Sequence, residues 1–281
     1  MYTCLGPGAV GIDVPFPEAA ELAATHGFEG IQVDLGFLGE HGPERYAAVL
    51  EEHGLRPGSF GLPVAVDGDP DAYERDVAAL PEVAEAAAAV GCRRCSTYIP
   101  SFSDERPYEA NFEYFVARLE RPAAVLDDHG IDLGLEFLGP ATLREGHEYE
   151  FVHTVEGMLE LRSAVGGNAG LLLDCWHWYT AGGDLETLRA LDRGDVVDVH
   201  VNDAPEGVPV DEQIDSERRM PGETGVIDVG PFLRRLDAIG YDGPVMVEPF
   251  SDDLPTLPPG VAAERTIASL ERAFETAGLR P

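Results

Sequence analysis

The chain has 281 residues, 44% of them hydrophobic, enough for one large domain with a substantial core. Nineteen basic residues, all of them arginine, stand against 52 acidic ones, and the formal net charge is −33. So acidic a surface repels nucleic-acid phosphates and anionic membranes, and it suits the salt-rich cytoplasm of a halophile, where screening relieves self-repulsion.

Short apolar runs of strand type alternate with segments of helical periodicity. YTCLG opens the series and a helix is expected over 16–26. GIQVDLG (30–36) is the second strand, followed by a helix over 43–53, and RPGSFGL (56–62) is the third, followed by a helix over 71–90. RRCSTYI (93–99) precedes a helix over 108–129, and IDLGLEFL (131–138) precedes one over 154–165. GLLLDCW (170–176), VVDVHVN (196–202) and PVMVEPF (244–250) complete the strands, with helices over 185–191, 229–239 and 262–277. Glycine follows several of these helices, as it does at helix C-termini.

Eight strand–helix pairs in a chain of this length predict an α/β fold, a single (β/α)8 TIM barrel over residues 1–281. A doubly wound sheet is the alternative, but no G-x-G-x-x-G follows the first strand and no linker divides the chain. The longest stretch without regular pattern, 202–227, follows the seventh strand, and such loops are usually functional or disordered. Cys92 and Cys95 form a CRRC pair in an apparent strand, where residues three apart face opposite ways. They read as reduced thiols, like Cys4 and Cys175. MYTCLGPGAVG has no basic leader and no run approaches membrane-spanning length, so a cytoplasmic location is expected.

Four consecutive strands end in a residue of metal-ligand type: Glu136, Asp174, His200 and Glu248. Taken singly, an aspartate after a strand is a helix cap and a histidine within VHV is a core residue. Jointly they would meet at one mouth of a barrel, where the C-terminal strand ends converge. Three acids crowded in a dry mouth repel one another unless a cation neutralises them. Carboxylates with one imidazole favour one divalent ion, Mn²⁺ first, with Mg²⁺, Co²⁺ or Zn²⁺ as alternatives.

GLEFLGP, LLLDCWHW, VVDVHVND, PGETGVID and GYDGPVMVEPF resemble the xylose-isomerase-like TIM-barrel superfamily, in its sugar phosphate isomerase/epimerase group with the ketose 3-epimerases. The resemblance spans the chain and is densest over 134–250. It implies Glu136, Asp174, His200 and Glu248 as metal ligands and His177 as a donor to a substrate oxygen. It also implies a substrate-binding arginine before PG in the strand-seven loop, where Arg218 and Arg219 both qualify. The family's further glutamate after the first ligand is missing from GPATLREGHE, and Arg144 or His147 is expected to take its place. Trp176, Trp178, Tyr98 and Phe37 are candidate walls for a sugar.

The expected activity is metal-dependent isomerisation or epimerisation of a sugar or keto-polyol through a cis-enediolate, with Glu136 and Glu248 as the acid/base pair. A lyase acting on a keto-inositol or 3-keto-glycoside shares the enediolate and differs in its fate. A barrel without catalysis has no need of buried acids. The partner is a small carbohydrate, with neither nucleic acid nor membrane; whether the chain forms a homo-oligomer stays open.

Overall fold

The apolar runs form short strands, β1 (Tyr2–Leu5), β2 (Gly30–Ile31), β3 (Arg56–Pro57), β4 (Phe60–Gly61), β5 (Arg94–Ile99) and β6 (Phe102–Ser103) in the first half. The second half adds β7 (Asp132–Phe137), β8 (Tyr149–Glu150), β9 (Ala169–Asp174), β10 (Val196–His200) and β11 (Pro244–Met246). The computed structural model describes residues 1–280. All but β6 and β8 join one parallel sheet in the order β3-β2-β1-β11-β10-β9-β7-β5-β4, while β6 and β8 make a small antiparallel ribbon.

The sheet closes on itself through residues 56–61. β3 pairs with β2 at one end of the order and β4 with β5 at the other, and only Gly58 and Ser59 separate them. The expected continuous strand over 56–62 is therefore split. Pro57 offers no N–H; beyond it Gly58 N–H still reaches Ile31 O at 2.8 Å, whereas Leu62 N–H turns to Ser96 O at 2.8 Å. This closure makes the sheet a TIM barrel rather than an open doubly wound one.

Helices α1 (Phe16–His26), α2 (Leu35–His53), α3 (Pro70–Ala89), α4 (Tyr108–Asp128), α5 (Val155–Val165), α6 (Cys175–Thr180), α7 (Leu185–Arg189), α8 (Val229–Ala238) and α9 (Pro259–Ala277) connect the strands. Two differ from expectation. α2 starts eight residues before Pro43, because Asp34 caps it by accepting from Phe37 N–H at 2.8 Å, and it bends at Gly42 (φ 78°). α6 was not legible as a helix, and it carries His177.

Alternation divides the strand side chains. Leu133, Leu135, Phe137, Leu171 and Leu173 point outward into the main core, each contributing about 1.5–3 kcal/mol by burial. Tyr2, Cys4 and Met246 form a separate cluster inside the barrel. All four cysteines are buried free thiols. Among the described residues no helix is long and apolar enough to cross a membrane.

Candidate active site

The strand ends bring the predicted ligands to one mouth. Glu136 lies in β7, Asp174 ends β9, His200 ends β10, and Glu248 stands two residues past β11. Register places Asp174 directly beside His200. One ligand-type atom from each of the four lies within 4.8 Å of all the others. Glu136 Oε1 and His200 Nδ1 are buried with no hydrogen-bond partner. Three carboxylates and an imidazole, two of them with orphaned buried atoms, fit a hard or borderline divalent cation.

Asp174 caps a helix and faces the cluster at once. Its Oδ1 accepts Trp176 N–H at 2.8 Å, which starts α6 directly after β9. Asn202 Nδ2 donates to both Asp174 oxygens at 3.1 Å, and Asn202 Oδ1 accepts Glu248 N–H at 3.0 Å. Asn202 thus ties two of the candidate ligands together, and the Cys175 thiol holds its backbone N–H and carbonyl. Nothing assigned Asn202 a role in advance, although its position two residues beyond His200 is a usable signal.

Electrostatics are severe in this space. Burial, then the charge of Glu248, holds the Glu136 carboxyl well above the usual carboxylate range. Burial raises Asp174 too, against the pull of Arg218. Burial would lower His200, but Glu248, 3.6 Å from its Nδ1, outweighs that and the imidazole is pushed up to about 10. Burial also disfavours charge on Glu248, and there His200 and Arg218 prevail, so its carboxyl lies below its ordinary value.

His177 is fully buried, and burial followed by the charge of Arg218 drives its pKa well below the ordinary value, so the ring is neutral. Two donors face the ring, Gly139 N–H at Nδ1 and Arg218 Nη2 at Nε2, each at 3.2 Å, and a neutral imidazole accepts only one of them. Only glycine fits at 139: a Cβ there would stand 2.1 Å from His177 O. Nε2 points toward Glu136 Oε1 at 3.8 Å and Arg218 Nη2 at 3.2 Å. The imidazole and the guanidinium thereby meet at the edge of the carboxylate cluster.

Of the two arginines, Arg218 turns inward. Arg219 exchanges backbone hydrogen bonds with Asp203 at 2.8 Å, an extended pairing in which adjacent side chains face opposite ways. The Asp203 carboxylate, fully buried, accepts from the N–H groups of Ala204, Thr224, Gly225 and Ile227 and so fixes the irregular loop after β10. Arg218 lies between Phe250, whose ring is 4.4 Å from its Cζ, and Trp176 at 5.6 Å. Phe250 is the one non-glycine among the described residues with left-handed backbone (φ 43°), a strained turn that lays its ring on the guanidinium. Past His200 and Glu248 a cavity of about 240 Å³ opens, lined also by Gly6, Ala9, Gln32 and Phe250.

Other expected residues lie elsewhere. Arg144 does not reach the cluster: its Nη1 is taken by the carbonyls of Gly139 and Pro140. His147 pairs with Asp104 and stacks on Phe102 at the outer ribbon. Trp176 is fully buried and supports Arg218 instead of offering a face to the mouth, and Trp178 packs on Phe232. Phe37 packs against Phe16 and Tyr46, while Tyr98 stands 61% exposed beside Glu136 in register.

The family model described as xylose isomerase-like TIM barrel matches residues 20–273. This chain belongs to that family. A curated family relative in Bacillus velezensis, named inosose isomerase, is 24% identical over 263 residues, 91% of this chain and 89% of that one. Among solved structures of this barrel, a xylose isomerase domain protein from Alicyclobacillus acidocaldarius superposes with TM-score 0.88 at 28% identity, covering 99% of both chains. The IOLI protein with a bound zinc atom gives TM-score 0.81 at 22% identity, over 97% of this chain and 98% of that one, a likeness of fold.

Proposed function

We propose that this protein is a divalent-metal-dependent isomerase or epimerase of a ketose or cyclic keto-polyol. The observation that carries the proposal is the convergence of Glu136, Asp174, His200 and Glu248 within 4.8 Å, next to His177 and Arg218. The name of the Bacillus velezensis relative, inosose isomerase, supports a keto-polyol substrate. The zinc of the IOLI structure supports a divalent ion, and the oxygen-rich donor set supports Mn²⁺ as the ion used.

An ion held by the four residues would act as a Lewis acid toward negative charge on the substrate's oxygens. The residues divide the remaining work. Glu136 in β7 and Glu248 just past β11 stand at the first and last of four neighbouring strands and would approach a bound carbon from different sides. One carboxylate removes the proton next to the carbonyl and the other returns it, through an enediolate of the substrate. With a proton on Nε2, His177 would donate toward the developing oxyanion, beside the guanidinium of Arg218.

His177→Ala is expected to keep the fold and Mn²⁺ binding while lowering kcat about 10²-fold, with a smaller change in KM. Steady-state kinetics beside metal analysis check this; loss of the metal in that variant would make His177 a ligand instead. Incubation of inososes and ketoses with Mn²⁺-loaded protein, followed by proton NMR in D₂O, tests the function itself. Loss of water from the substrate, as the proton next to the carbonyl and the hydroxyl one carbon further on, giving an enone, would make the protein a lyase.

A further inference from the structure

Three carboxylates surround Arg218, and only two of them belong to the four-residue cluster. Its Nη1 meets Asp174 Oδ2 at 2.9 Å and Glu248 Oε2 at 3.2 Å. Asp215 holds the opposite edge: Nη2 donates to its Oδ1 at 2.8 Å and Nε to its backbone carbonyl at 3.0 Å. The same Oδ1 accepts the indole N–H of the fully buried Trp176 at 3.2 Å, so its place is fixed from two sides. Asp215 contributes no atom to the ligand cluster.

An oxygen shared between a guanidinium and a divalent cation is drawn to the cation, where the charge is doubled and concentrated. The hold of Asp174 and Glu248 on Arg218 is therefore the part that metal binding weakens, and the hold of Asp215 is the part that it leaves alone. Resting on the reading of the cluster as a metal centre, we propose that Asp215 is a positioning residue with two tasks. It balances the charge of Arg218, so that the guanidinium does not compete with the cation for Asp174 and Glu248. It also sets the guanidinium's orientation, with Nη2 held 3.2 Å from His177 Nε2 at the edge of the cluster.

Without that carboxylate, Arg218 has anionic partners only inside the cluster, and an incoming ion must displace it. The test is a double-mutant cycle on Mn²⁺ affinity, read from the EPR signal of the free ion, for wild type, Asp215→Asn, Arg218→Met and the double variant. Asp215→Asn is expected to weaken Mn²⁺ binding about tenfold when Arg218 is present and less than about twofold when it is Met. Equal weakening in both backgrounds reports only a lost negative charge and overturns the proposal, as does no weakening in either. If circular dichroism shows Arg218→Met unfolded, Asp215→Glu decides. It keeps the carboxylate and is expected to bind Mn²⁺ within about threefold of wild type; affinity as low as that of Asp215→Asn overturns the proposal. Wild-type protein that binds no Mn²⁺ removes the metal-centre reading and this proposal with it, a result distinct from binding without coupling.

Discussion

Glu136→Gln is expected to lower kcat about 10³-fold while changing Mn²⁺ affinity less than about tenfold, the range set by loss of a general acid or base. The side chain keeps its length and one carbonyl oxygen, so a ligand atom remains where Glu136 Oε1 stands free of hydrogen bonds. The amide cannot accept the substrate's proton. Burial and the neighbouring Glu248 raise the Glu136 carboxyl above the usual carboxylate range, and a divalent ion at the cluster would draw it back down. Metal titration and turnover of the loaded variant check the two numbers separately. Parallel loss of both would make Glu136 a ligand alone.

Asp174→Asn is expected to have the opposite profile. Its carboxylate is fully buried and already meets Trp176 N–H, Asn202 Nδ2 and Arg218 Nη1, all donors. An amide NH₂ placed there confronts at least one of them, costing about 1–3 kcal/mol of stability, while asparagine still serves as an N-cap for α6. The larger loss falls on the ion, which exchanges an anionic ligand for a neutral one at the centre of the cluster. Mn²⁺ affinity should fall about 10²-fold or more, with the thermal unfolding midpoint lowered by only a few degrees. Calorimetric titration and a melting curve on one preparation compare the two effects.

The cluster was legible because each ligand-type residue sits at the end of an apolar run, and barrel topology sends all such ends to one mouth. Arg218 and Arg219 could not be told apart in the sequence. The choice depends on backbone pairing of Arg219 with Asp203, sixteen residues earlier in the loop after β10. That loop owes its shape to the carboxylate of Asp203 and has no periodicity to betray it. Asp215 was hidden for the same reason, its three-residue spacing from Arg218 being the only mark. α6 was missed because CWHWYT is a β-prone aromatic run; the cap from Asp174 decides for a helix, which buries Trp176 under Arg218. Arg144 is expected in place of the family's missing glutamate in the loop after Glu136, yet its side chain folds back on its own loop.

The most direct test of the central claim is deuterium uptake from solvent. A keto-inositol incubated in D₂O with Mn²⁺-loaded protein should gain deuterium at the carbon next to the carbonyl as its isomer forms. Exchange should stop on chelation, return with added Mn²⁺, and fall about 10³-fold in Glu136→Gln. Isomer that forms without solvent deuterium at that carbon, or exchange that persists undiminished after the metal is chelated, would contradict proton removal and return by Glu136 and Glu248 at a metal centre.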